Sequence, residues 1–477
     1  MKLTLDSGAA VLLDALYAAG YAAYAVGGCV RDGLLGLCPH DWDLCTSALP
    51  QQVMNLFGEE RCIPTGLQHG TVTVKQGGGL YEITTFRTEG TYSDGRHPDE
   101  VHFVPDVRKD LARRDFTINA MAYNEKEGLI DPFGGQNDLQ QGIVRAVGVP
   151  HQRFTEDALR ILRLYRFAAR YGFAIDPATE QAAEALCTHL DCVSAERIEE
   201  ELSKLLAAPA PAAYLDEKIL TVILPELAPE ALDAAKPAVD ACPAGSENLP
   251  VRLAALLLSL GEDGTRKVLR RLRCSNALIE ETAVLVRESG GSSGSFLLGH
   301  EYGLRHPADA SCFEQHSHPA GRCPNSNSLF PPQAAVVAVA GHSIARPIAF
   351  GNRVPPQRTV LRETTVTPGF TIYARRLLGK YNLCTVQRLA ALGTALQPEH
   401  AADFTALCEL AERLDADGVC CRVSQLAVNG RDLMAAGVPA GPGIRKVLEA
   451  LLDGVIREEY PNERQALLAA VQQLAAS

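Results

Sequence analysis

Between Tyr24 and Leu44 the chain reads YAVGGCVRDGLLGLCPHDWDL. Two carboxylates, Asp41 and Asp43, stand two positions apart in a short apolar-flanked segment; in a strand, that spacing turns both to one face. Paired carboxylates suit Mg²⁺, which is held by one or two of them plus substrate phosphates. Two such ions clamp the attacking and leaving oxygens of an in-line displacement at phosphorus. Upstream, an apolar run ends in Gly27-Gly28, whose backbone N–H groups can approach a triphosphate closely, and a helix-like segment then opens with Arg31, a forked donor to phosphate. The chemistry this pattern suits is nucleotidyl transfer. An Asp-x-Asp pair alone is unspecific in a chain with 57 acidic residues, but the Gly-Gly turn, Val-Arg-Asp and Asp-x-Asp-Leu at this spacing are far more restrictive.

The elements that must position these groups follow in order. Ser47 to Pro50 predicts a helix start, with Pro50 in the first turn. Gly70 to Val74 alternates like a strand, and so does Tyr81 to Arg87 (YEITTFR), which places Glu82, Thr84 and Phe86 on one face. Glu82 is a candidate third carboxylate; a solvated strand glutamate is the alternative. Thr88 to Val101 is polar and glycine-containing, and is expected to be a mobile loop beside the site. In LARRDFTINAMAYN, Arg113 and Arg114 supply cations for phosphate, and Asp115 can accept from a ribose hydroxyl. The stretch from Asp131 to Asp138 (DPFGGQND) reads as a turn-rich link between domains. A helix is expected over Phe154 to Phe173, N-capped by Thr155, with Asp157, Arg160, Arg163 and Arg166 along its polar side. A carboxylate there could accept from the exocyclic amino group of cytosine or adenine while a guanidinium donates to ring acceptors. Guanine and uracil would leave those groups unpaired.

Bulk properties bound the rest. At 477 residues, with 47% hydrophobic and 21% charged, the chain is globular and holds more than one domain. A net charge of −12 argues against a wholesale nucleic-acid coat but allows a local basic groove. The N-terminal stretch reads as a helix running into a strand, not a signal peptide, and no apolar run is long enough to span a membrane. Fourteen cysteines without framework spacing fit the cytoplasm.

Taken together, GGCVRD, DWD, RRDFTINA, DPFGG, EDALRILRLYRFA and SAERIEEELSKLL resemble the ordered motifs of class II CCA-adding enzymes and bacterial poly(A) polymerases. The likeness is dense over about residues 1–206 and returns in LAVNGRDLMAAGVPAGPGIRKVLEALL. It implies a polymerase-beta-like α/β nucleotidyltransferase head over 1–145 and a helical neck over 146–208. A helical body over 209–287 and a helical body and tail over 358–477 would follow. By the same resemblance Asp41 and Asp43 hold Mg²⁺, while Gly27, Gly28, Arg31 and Arg114 contact the nucleotide. Asp115 reads the ribose, Asp157 and Arg160 act as an amino-acid template, and Arg163 and Arg166 are further nucleotide contacts. Glu196 and Arg197 fall in the neck motif. The implied activity is addition of C, C and A to tRNA from CTP and ATP. Poly(A) addition and a catalytically idle RNA-binding module are the alternatives.

Residues 288–357 turn rich in Gly, Ser, Pro and His and are expected to be a disordered insertion. Cys312, His316, His318 and Cys323 could bind zinc there, at a spacing that is not a standard finger. Beyond it, Tyr373 to Leu392 and Asp403 to Leu414 are helical in period, with Arg375, Arg376 and Lys380 as possible phosphate contacts.

Overall fold

A computed structural model describes residues 3–90, 100–289 and 367–476. The segment 290–366, which includes Cys312, His316, His318 and Cys323, lies outside the described residues, as do residues 91–99 of the expected loop. The first helix, α1 (Ser7–Ala18), is capped by the Asp6 carboxylate, which accepts from the Gly8 and Ala9 amides. It lies on a seven-stranded mixed sheet of β1 (Ala23–Val26), β2 (Asp43–Thr46), β3 (Cys62–Gly66), β4 (Thr71–Gln76) and β5 (Gly79–Thr85). A short hairpin, β6 (Arg87–Glu89) with β7 (Val101–Phe103), stands apart. β8 (Ala122–Asn124) and β9 (Gly128–Ile130) close the sheet in the order β3-β4-β5-β2-β1-β8-β9.

The period-two pattern sorts the sheet into two faces. Ala25, Leu44, Ile83 and Val72 are register partners across four strands and join the core under α1. The next row, Asp43, Glu82 and Thr73, points to the opposite face. There Tyr24, Val26, Cys45 and Phe86 form a smaller core with Val107, Leu111 and Val147, and the acids stand at its rim.

Five more helices complete this part of the chain: α2 (Gly28–Leu34), α3 (Pro50–Phe57), α4 (Val107–Ala112), α5 (Gly135–Gln141) and α6 (Pro150–Glu156); α3 joins the core under α1 through Val53 and Phe57, and α4 joins the smaller core on the acids' face through Val107 and Leu111. Pro50 begins α3, as its sequence predicts. The DPFGGQND stretch folds as a turn plus α5. Asp131 caps that helix by accepting from Gly135 and Gln136, and Asp138 reaches the neck residue Asp176 through Arg145. Gly135 is required, since a Cβ there would lie 2.2 Å from the Thr117 carbonyl oxygen.

The neck comprises α7 (Leu159–Tyr171), α8 (Pro177–Leu186) and α9 (Ala195–Leu206), and every described element after Ile175 is helical. Body helices α10–α14 run from Glu217 to Ser289 and α15–α20 from Pro368 to Ala476, with a separate small tail core around Leu433, Leu451 and Leu467.

Several expectations need correction. Asp41 lies before β2, so only Asp43 is a strand residue. The single helix over Phe154 to Phe173 is broken at Asp157, which is extended (φ −148°, ψ 105°). Its carboxylate accepts from the Leu159 amide, offering the backbone an alternative to continuing the helix. Thr155 is therefore no cap; its hydroxyl donates to the His151 carbonyl within α6. The arginine side of α7 is packed rather than solvated, and Arg166 is buried. Likewise Tyr373 to Leu392 is two helices, meeting at Asn382, whose side chain caps the second. Arg375, Arg376 and Lys380 are spent on structure. Arg375 donates to the Ile456 carbonyl at the end of α19 (Gly443–Ile456) and pairs with Glu458, Arg376 pairs with Asp453, and Lys380 pairs with Glu288.

Candidate active site

The acidic end of the site is built by the sheet. In-register parallel pairing of Asp43 with Glu82 sets the two carboxylates side by side on one face. Burial raises the Asp43 carboxyl above its ordinary value, Asp41 pushes it further, and the Arg114 cation partly offsets both. Glu82 is raised by burial and then by Asp43 and Asp41. The three side chains are open to solvent, and like charges set this close are what a divalent cation would relieve. Among the described residues no three His, Cys, Asp or Glu side chains converge as a complete metal cage. A site sharing its ions with substrate phosphates does not need one.

Opposite the acids, Gly27 adopts φ +78° at the start of α2, and a Cβ there would lie 2.8 Å from the Arg114 Nη1. The guanidinium thus lies against exposed backbone, with Gly28 next in line. Arg114 is steered by Asp110, a fully buried carboxylate 3.6 Å away on α4. Asp110 also pairs with Arg113 (2.9 Å), which in turn pairs with Glu89 (2.8 Å) at the loop end of the hairpin. Arg113 is therefore a strut between elements. Arg31 is buried too: it donates to Asp32 (2.8 Å) and Asn119 (2.5 Å), and its guanidinium lies 5.2 and 5.0 Å from the rings of Phe167 and Tyr171. The structure sets it in the seam between head and neck, with its Nη2 3.5 Å from where a Cβ of Gly28 would lie.

The neck supplies the remaining groups. Asp157 is gripped at both oxygens by Arg197 of α9 (2.7 and 3.3 Å), so its partner is not Arg160. Arg160 instead pairs with Glu156 (2.6 Å) and donates to the Arg113 carbonyl (3.2 Å). Glu196, the other neck-motif residue, faces Arg273 at 3.3 Å. Arg163 donates twice to Asp115 Oδ2 (2.9 and 2.6 Å), while Arg166 pairs with Glu201 (2.6 Å) over the ring of Phe167. Burial alone would raise the Asp115 carboxyl; the Arg163 charge and the bonds from Arg163 and Asn119 overcome that and hold it far below the usual carboxylate range.

Three consecutive residues join the two halves. The Arg113 carbonyl holds Arg160, the Arg114 guanidinium lies over Gly27 and acts on Asp43, and the Asp115 carboxylate holds Arg163. Acids, glycines and the neck segment are therefore all tied to this one stretch of chain. Glu201, Asp110, Glu156 and Asn119 were not singled out from the sequence. A signal existed for two of them: Glu201 lies on the stripe of Ile198, Leu202 and Leu205, and Asp110 on that of Val107 and Leu111, where a carboxylate is out of place.

The Poly A polymerase head domain family matches residues 23–145, the family described as "Probable RNA and SrmB- binding site of polymerase A" matches 172–231, and tRNA nucleotidyltransferase domain 2 matches 373–471. The CCA-adding enzyme of Geobacillus stearothermophilus is 34% identical over 456 residues, covering 94% of this chain and 92% of that relative. The chain belongs to the CCA-adding enzyme family. The family member of Lactiplantibacillus plantarum is 41% identical over 283 residues, 58% of this chain and 69% of the relative. Two others, 46% and 50% identical, match over about half of their length, 52% and 48%. The crystal structure of the Bacillus stearothermophilus CCA-adding enzyme in complex with CTP superposes with a TM-score of 0.69 at 28% identity, covering 98% of this chain and 97% of that one. Nucleotidyltransferases with this head use divalent metal ions, which suits the acidic rim. No helix among the described residues is long and apolar enough to cross a membrane.

Proposed function

We propose that this chain adds C, C and A in sequence to the 3′ end of tRNA, using CTP and ATP, releasing pyrophosphate and needing no nucleic-acid template. The observation that carries the reading is the Arg113-Arg114-Asp115 bridge, which ties the neck residues Arg160 and Arg163 to the stretch whose Arg114 acts on Asp43. Family membership and the relative solved with CTP support the substrate class.

Asp41 and Asp43 hold Mg²⁺, with Glu82 beside them. Bound there, the ions supply charge neutralisation for the attacking 3′ hydroxyl and the departing pyrophosphate. Gly27 and Gly28 let the triphosphate approach the backbone, and Arg114 adds a cation to it. Asp115 accepts from a ribose hydroxyl. Asp157, fixed by Arg197, accepts from the exocyclic amino group of cytosine or adenine, and Arg160, fixed by Glu156, donates to the same edge. Holding both rigidly is what makes a mismatch costly, since guanine or uracil leaves two oriented groups unpaired. Arg31 serves the nucleotide indirectly by fastening α2 to α7, and Arg163 and Arg166 through the carboxylates they hold. The tRNA is bound by the helical body and tail through shape and backbone. The cysteine pattern supports a cytoplasmic setting.

The test is to supply tRNA lacking its 3′ end with CTP, ATP or both and to measure product length. Growth that stops after the last A is expected. Unlimited A-tailing would show a poly(A) polymerase, and no extension an RNA-binding module.

A further inference from the structure

Asp115 is already full. Its Oδ1 accepts from the Phe116 amide (2.8 Å) and Asn119 (3.1 Å), and its Oδ2 takes both Nε and Nη2 of Arg163. A ribose hydroxyl can be accepted only if Arg163 loosens. A hydroxyl is neutral, so an arginine leaving a buried carboxylate needs a second anion or is stranded. The structure holds one in place: Glu201 Oε1 stands 3.6 Å from Arg163 Nη1, just beyond hydrogen-bond range, while Glu201 Oε2 is anchored 2.6 Å from Arg166 Nε. The two acid side chains are 8% and 6% exposed, whereas that of Arg163 is 33% exposed, so the guanidinium is the member with room to move.

We propose that Glu201 is a positioning residue for the nucleotidyl-transfer reaction: it takes over Arg163 when the 2′-hydroxyl of the incoming nucleotide claims Asp115, and so sets preference for ribonucleotides. The inference rests on Asp115 as the ribose acceptor. The exchange moves no net charge, because one arginine passes between two carboxylates. The ring of Phe167, 5.5 Å from Arg163 and 4.0 Å from Arg166, gives both guanidinium groups a common support during it. A 2′-deoxynucleotide has nothing to trade for the Asp115–Arg163 pair and leaves it closed.

The test compares KM and kcat for CTP and dCTP on tRNA lacking its 3′ end, in the full-length chain. In Glu201→Gln the KM for CTP should rise about tenfold and that for dCTP hardly at all, with kcat within about twofold, and Glu201→Asp should restore part of the gap. A purely structural role would move both nucleotides alike. Asp115→Asn is the control. If it leaves the CTP/dCTP ratio unchanged, the ribose reading of Asp115 itself is wrong. If it collapses the ratio while Glu201→Gln does not, the exchange alone is overturned. Should Glu201→Gln fail to fold, Arg163→Met and Arg163→Met/Glu201→Met decide the matter. Equal CTP/dCTP ratios in the two support the exchange, and a further change in the double variant overturns it.

Discussion

At the scale of single residues, the site is a set of charges whose partners decide their use. Asp43 is raised by burial and by Asp41, and Glu82 by burial, Asp43 and Asp41, which favours a cation beside them. Asp43→Ala should lower single-turnover CTP incorporation by about a thousandfold or more, roughly 4 kcal/mol of barrier, while filter-binding affinity for tRNA stays within about twofold of wild type. Asp115 is the opposite case. Its carboxyl is depressed in the fold from roughly 3.9 in an unfolded chain, so it contributes stability above about pH 4 that is lost as pH falls toward its native value. Asp115→Asn should therefore be less stable than wild type at neutral pH, with the gap in Tm narrowing steadily on acidification below about pH 4. A gap that stayed constant across that window in calorimetry would contradict the assignment.

At the scale of elements, the decisive feature is the break between α6 and α7. Asp157 accepts there from the Leu159 amide and from Arg197, so the carboxylate proposed to read the base is fixed by two elements at once. Arg197→Ala leaves that carboxylate half-buried and loosely held. It should cost about 2 kcal/mol in urea unfolding and raise UTP incorporation relative to CTP by about tenfold. Arg197→Lys should rescue stability more than selection, because an ammonium cannot grip both oxygens. Unchanged nucleotide preference in the alanine variant would remove Arg197 from the reading device.

At the scale of the whole molecule, head, neck and body are joined by buried cations. Arg252 of α12 (Leu249–Leu257) is wholly buried and donates to the carbonyls of Leu206, Ala208, Pro209 and Cys242, gathering the end of α9 and the loop after it. Arg252→Met would take this donor from the buried carbonyls of Leu206, Ala208 and Cys242, at a cost of about 3 kcal/mol. Below the lowered Tm, the KM for CTP should match wild type, since no nucleotide group touches that joint; a large KM change would mean the body sets the head's geometry directly.

The sequence by itself determined the chemistry and the class of fold. Strand alternation placed Glu82 on one face, the Gly-Gly turn and Asp-x-Asp spacing marked the end proposed to take the triphosphate, and helical period marked the neck, because these depend on neighbours within a few positions. Only the tertiary structure decided which cation meets which anion. Asp157 pairs with Arg197, forty positions away, rather than with Arg160 three away; Arg31 packs against Phe167 and Tyr171 of the neck; and Arg163 lies between Asp115 and Glu201. Charges act over a few ångströms in space whatever their separation along the chain. In an interior, each takes the partner that packing brings closest, which local sequence cannot name.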